Sequence, residues 1–119
     1  MKTLILIFSF FLAGTTFAQT PGEIVLFNAE KVNNAVLLTW SPSVSPETNH
    51  FEIQRSEDGT NWRVIALMFP YEDGTVTHTY KYDDKITGAG NVQYRIRQID
   101  IHKKEKFSQV KMVGVVANR

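Results

Sequence analysis

Tyr94-Arg95-Ile96-Arg97 places apolar and cationic side chains in alternation. A period of two puts Tyr94 and Ile96 on one face of an extended strand and Arg95 and Arg97 on the other. The same period runs outward through the chain. Val36, Leu38 and Trp40 share a face opposite Leu37 and Thr39, and Phe51 and Ile53 alternate with Glu52 and Gln54. Tyr80 and Tyr82 alternate with Thr79 and Lys81, and Val110 and Met112 with Gln109 and Lys111. One apolar and one polar face per strand is what an antiparallel sheet with one solvated side requires.

Seven such segments can be placed, at 23–30, 34–41, 50–56, 61–68, 76–83, 92–100 and 106–116. No window sustains a helical period. Turn residues separate the segments. Asn33-Asn34 and Asp58-Gly59 can supply the positive φ angles of tight turns. Pro42 and Pro46 mark a loop, because proline cannot donate to a ladder. Asp73-Gly74 and Gly88-Ala89-Gly90 mark two further connections. The expected fold is all-β, a seven-stranded two-sheet sandwich of immunoglobulin-like type, with Trp40 its largest core side chain.

The first 18 of the 119 residues stand apart from this pattern. Lys2 gives a positive start, residues 4–13 are apolar except for Ser9, and Thr16-Phe17-Ala18 offers small residues at a cleavage point. This is the layout of a secretory signal peptide cut after Ala18, leaving a domain of residues 19–119. The apolar run is shorter than the ~20 residues of a membrane span, so no span is expected after cleavage. An exported protein, periplasmic or secreted, is therefore expected. It has no cysteine, so its stability must come from its core rather than from disulfides.

Without Lys2 the chain carries 12 basic and 12 acidic residues. That balance argues against nucleic acid as a partner. His50, His78 and His102 share no short motif, and no metal site is expected from them. The acidic pairs Glu57-Asp58, Glu72-Asp73 and Asp83-Asp84 fall in expected turns, where they read as ordinary solvated residues. No serine elbow or glycine-rich phosphate loop occurs. No catalytic residue, cofactor or metal is assigned, and the chain reads as no enzyme.

Several pieces together resemble the fibronectin type III-like domains of exported Bacteroidetes proteins. They are Phe27-Asn28-Ala29, Val36-Leu37-Leu38-Thr39-Trp40, Phe51-Glu52-Ile53-Gln54-Arg55-Ser56 with Asp58-Gly59, Tyr80 to Asp83, and Tyr94 to Asp100 followed by Phe107-Ser108. The resemblance implies that the first, second and fifth strands form one sheet and the others a second. It also implies that the Tyr94 hydroxyl bonds back to nearby main chain, as a tyrosine corner. The turn after Asp100 departs from the pattern, since it lacks the glycine that relatives often carry.

An interaction or structural module of the cell envelope or extracellular space is the resulting expectation, its partner a protein or a glycan. The candidate binding residues are Arg95 and Arg97 on the outer face of the larger sheet, in a polar strip with Glu52, Gln54, Gln109 and Lys111, which Arg63 joins if its strand has the expected parity, and Lys103 and Lys104 at a hairpin tip. A carbohydrate-binding accessory domain is the alternative. It would use exposed aromatic rings, for which Trp62, Phe69 and Tyr71 are the available residues, although Trp62 reads more readily as a core residue.

Overall fold

A computed structural model describes residues 24, 26–71, 78–86 and 90–115. The expected signal peptide and its cleavage site, the Asp73-Gly74 turn and the start of the fifth segment at Val76 lie outside the described residues. Eight strands occur among those described: β1 Leu26–Val32, β2 Ala35–Ser41, β3 Thr48–Ser56, β4 Arg63–Met68, β5 Tyr80–Lys85, β6 Gly90–Asp100, β7 Glu105–Phe107 and β8 Lys111–Val115. All pairings are antiparallel. One sheet runs β1-β2-β5, and the other runs β4-β3-β6, with β7 and β8 both paired to β6. The chain is therefore an all-β protein of two antiparallel sheets, and the strands divide between them as expected.

The alternation decides which faces meet. Val36, Leu38, Trp40 and Tyr80 from one sheet and Phe51, Ile53, Tyr94 and Ile96 from the other are all at most 1% exposed. Trp40 stacks on Tyr80 at 5.6 Å between ring centres and meets the edge of Phe51 at 6.2 Å. Asn33 takes a φ of 55° in the β1–β2 turn, a conformation asparagine tolerates better than most residues.

The last expected strand, 106–116, is corrected. It divides into β7 and β8, and Val110 and Met112 are exposed rather than inward-facing. The cause is a bulge. Arg97 pairs with Phe107 and Tyr94 with Lys111, so three residues, Ser108 to Val110, lie opposite only Arg95 and Ile96. Ser108 anchors the irregularity: its N–H donates to the Ile96 carbonyl at 2.8 Å and its Oγ accepts from the Ile96 N–H at 2.7 Å. One extra residue reverses the parity of everything after it. Val113 is then 8% exposed and Met112 61%.

A second correction concerns Asp84, which the sequence suggests is a solvated turn residue. It lies on β5 with the parity of Tyr80 and is 6% exposed. An isolated buried carboxylate would be strongly unfavourable. Arg55 Nη1 donates to its two oxygens at 2.9 and 2.7 Å, and the Tyr94 hydroxyl donates to Oδ2 at 2.6 Å. Arg55 and Tyr94 are cross-strand partners on β3 and β6. The Tyr94 hydroxyl thus bonds a side chain of the opposite sheet, and not the nearby main chain that a tyrosine corner would use.

Two outcomes follow from this interior. Val113→Ala should cost ~1–2 kcal/mol in urea unfolding, and Met112→Ala less than ~0.5 kcal/mol; the reverse order would show that the bulge is misplaced. Burial and the Asp84 carboxylate push the Tyr94 pKa well above the ordinary tyrosine value. Above pH ~10 an unfolded tyrosine loses its proton while the folded Tyr94 keeps it, so stability falls as pH rises through that region. The wild-type alkaline loss should exceed that of Tyr94→Phe, and identical alkaline limbs for the two proteins would contradict this.

Candidate functional site

The outer face of the larger sheet is organised by a turn, a strand and the bulge. After β3 the chain reverses around Asp58. Its Oδ1 accepts from the N–H groups of Thr60 and Asn61 and from Ser56 Oγ, and its Oδ2 accepts from Asn61 Nδ2. These donors hold its carboxyl far below the usual carboxylate range. Gly59 has a φ of 80° and lies against Gln93 on β6, where an added Cβ would approach the Gln93 amide to 2.7 Å. This close approach carries Trp62 over the outer face of β6.

Arg95 meets Trp62 there. Its guanidinium carbon lies 4.3 Å from the centre of the Trp62 ring and 4.5 Å from that of Phe107. The cation thus contacts both an indole delivered by the β3–β4 turn and a phenyl ring delivered by β7. Such contacts contribute ~0.5–2 kcal/mol each according to their exposure. Phe107 shares the face because it pairs with Arg97 immediately before the bulge. Trp62 is half-buried on this outer face rather than part of the core.

Below the stack the polar strip continues as a network. Arg95 Nε donates to Gln54 Oε1 at 2.6 Å, and Gln54 Nε2 donates to Glu52 Oε1 at 3.0 Å. Arg97 Nη1 donates to both Glu52 oxygens at 3.0 Å, and its Nε to Glu105 at 2.7 Å. Burial alone would raise the Glu52 pKa, but hydrogen bonds from Arg97 and Gln54 bring it below the ordinary value.

The two arginines proposed from the sequence therefore share one face in different electrostatic states. Burial lowers an arginine pKa, but the hydrogen bonds from Arg97 to Glu52 and Glu105 raise it on balance. For Arg95, burial and then the charge of Arg97 lower it, with Glu105 opposing. Among the described residues Arg95 has Gln54 as its hydrogen-bond acceptor and no carboxylate within ion-pair distance.

The other residues expected in the strip are placed elsewhere. Arg63 lies opposite Arg55, so Val64 and Leu67, opposite Gln54 and Glu52, take the outer positions on β4. Lys111 is paired with the inward-facing Tyr94, and Gln109 belongs to the bulge. Lys103 and Lys104 are exposed at the β6–β7 turn, away from the stack along β6. Lys103 takes a φ of 64°, filling the position where a glycine would relieve strain. Asp100 Oδ1 supports this turn by accepting from the N–H groups of His102 and Lys104.

An open cleft of about 190 Å³ borders Trp62 and is lined by Arg55, Glu57, Asp58, Asn61 and Arg63. Phe69 and Tyr71, the other rings considered for sugar contact, are exposed. They lie in different ring contacts: Phe69 is 6.3 Å from His50, and Tyr71 is 5.0 Å from Tyr80 and 4.5 Å from the half-buried His78. Among the described residues no helix is long and apolar enough to cross a membrane.

No family model matches the chain, and no curated protein matches it significantly. Among solved structures it is similar to a pectate lyase from Pectobacterium carotovorum, with a TM-score of 0.56 and 17% identity over 77% of this chain. It is also similar to a pectate lyase from Erwinia chrysanthemi in complex with tetragalacturonic acid, with a TM-score of 0.55 and 19% identity over 73% of this chain. The chain spans 27% of the length of each lyase, and at these identities the likeness is one of fold. The expectation that the chain is no enzyme is corrected, because both structural neighbours are enzymes. Scanning for linear motifs cannot exclude catalysis, since catalytic groups converge in space from distant positions.

Proposed function

We propose that this chain is an exported, fibronectin type III-like module that contacts polysaccharide through Trp62 and the cleft beside it at the β3–β4 turn. The observation that carries this reading is the cleft beside Trp62, where a partly exposed indole meets the polar side chains of Asn61, Glu57 and Arg63. Sugar rings offer flat C–H faces and many hydroxyls, so an aromatic wall with convergent hydrogen-bonding groups suits them. The division of strands β1, β2 and β5 against the rest supports the fibronectin-like assignment. The likeness to pectate lyases supports a carbohydrate setting. The signal-like residues 1–18 support export, with a mature protein starting at Gln19.

Affinity electrophoresis of the full chain through gels containing neutral or acidic plant and bacterial polysaccharides tests the reading. At least one polymer should retard the protein, and Trp62→Ala should reduce the retardation at least about fivefold while the variant still unfolds cooperatively. Unretarded migration through every gel would overturn the glycan reading. For export, N-terminal sequencing of protein recovered from periplasm or medium should begin at Gln19, and a retained Lys2 would contradict cleavage.

A further inference from the structure

We infer that Arg95 reads a carboxylate on an acidic polysaccharide, its guanidinium held in place by Trp62 and Phe107; the inference rests on the glycan reading above and names the chemical class of the sugar. The reasoning begins from the difference between two neighbouring cations on one face. Arg97 is enclosed by Glu52 and Glu105, and its Nε and Nη1 donors are bonded to those carboxylates. An incoming anion would have to displace one of them. Arg95 uses its Nε on the neutral Gln54 amide, and no described residue accepts from its Nη groups.

The two rings explain why this cation can remain without a carboxylate. They supply contact with the electron-rich ring faces and restrict the side chain to one position. They leave its amino groups available for hydrogen bonding in the guanidinium plane, the direction from which a two-oxygen anion binds. Because Gln54, Trp62 and Phe107 already restrain the side chain, little further rotamer freedom is lost on binding. The burial and Arg97 repulsion that lower the Arg95 pKa would both be offset by an added negative charge.

The surroundings narrow the ligand to a sugar acid. The same indole that holds Arg95 also borders the cleft at the β3–β4 turn lined by Arg55, Glu57, Asp58, Asn61 and Arg63, so a sugar chain lying along Trp62 would reach both the cation and, in the adjoining cleft, hydrogen-bonding groups for its hydroxyls. Arg97 balances Glu52 and Glu105 only partly, so the face as a whole is not strongly cationic. Recognition would depend on one placed guanidinium rather than on a general positive field. Lys103 and Lys104 lie on an exposed turn, and among the described residues no aromatic ring stacks on either.

The test compares polygalacturonate, the same polymer fully methyl-esterified, and a neutral galactan, using the full chain and its Arg95→Gln and Arg95→Lys variants. Dissociation constants are measured by affinity electrophoresis at low and physiological salt, with thermal unfolding recorded for each protein. Wild type should bind polygalacturonate at least about tenfold more tightly than its ester. Arg95→Gln should abolish that preference, and Arg95→Lys should retain only part of it. Equal wild-type affinity for acid and ester would overturn the inference while leaving the glycan reading in place, and this comparison needs no variant to fold. An unchanged preference in a folded Arg95→Gln protein would also overturn it. Failure to bind any of the three polymers would count against both the inference and the reading on which it rests.

Discussion

The Asp84 carboxylate sits between two apolar sheets, and the arrangement around it follows from the need to compensate that charge. Arg55 and Tyr94 provide the compensation from adjacent strands of the opposite sheet. Both must face inward to do so. With Arg55 and Tyr94 inward, the period of two directs their chain neighbours Gln54 and Arg95 outward. The interaction that joins the sheets thereby also fixes which side of β6 presents its cations. A slip of one residue in β6 would bury Arg95 and expose Tyr94.

The outer face then shows how two like charges two residues apart acquire different roles. Arg97 is absorbed into a network with Glu52 and Glu105, which neutralises it and ties β3, β6 and β7 together. Arg95 lies one step further along β6, where the partner strand bulges and the β3–β4 turn folds over the sheet. Aromatic contacts replace the carboxylates there. The two cations thus differ in what holds them: carboxylates for Arg97, two aromatic rings and an amide for Arg95.

Much of this architecture was legible from the sequence because the central strands alternate cleanly. Val36-Leu37-Leu38-Thr39-Trp40 and Tyr94-Arg95-Ile96-Arg97 have faces that tertiary packing left unchanged, and Arg95 and Arg97 were readable as outward-facing residues. The parity failed after Phe107 because one additional residue at Ser108 reverses it, and no turn signal marks the bulge. Asp84 was misread because an acid beside another acid, a few residues before Gly88, resembles a turn; its partners Arg55 and Tyr94 are distant in sequence. Trp62 looked like a core residue because hydrophobicity suggests burial without indicating against what. Its position depends on Asp58 and Gly59 folding the chain onto Gln93, a contact across more than 30 residues. The sequence offers one acid, Glu52, for two outward arginines, and the register that gives it to Arg97 and leaves Gln54 opposite Arg95 appears only in the structure.

The coupling between Arg55 and Asp84 measures the central constraint most directly. A double-mutant cycle with Arg55→Ala, Asp84→Ala and the double variant, followed by urea unfolding at neutral pH, isolates that term from the losses at each position. The cross-sheet pairing predicts a coupling of ~1.5–3 kcal/mol, because either single substitution leaves the other charge poorly compensated in a largely buried site. Additivity within ~0.5 kcal/mol would contradict the account, showing that the two sheets do not depend on this pair for their alignment.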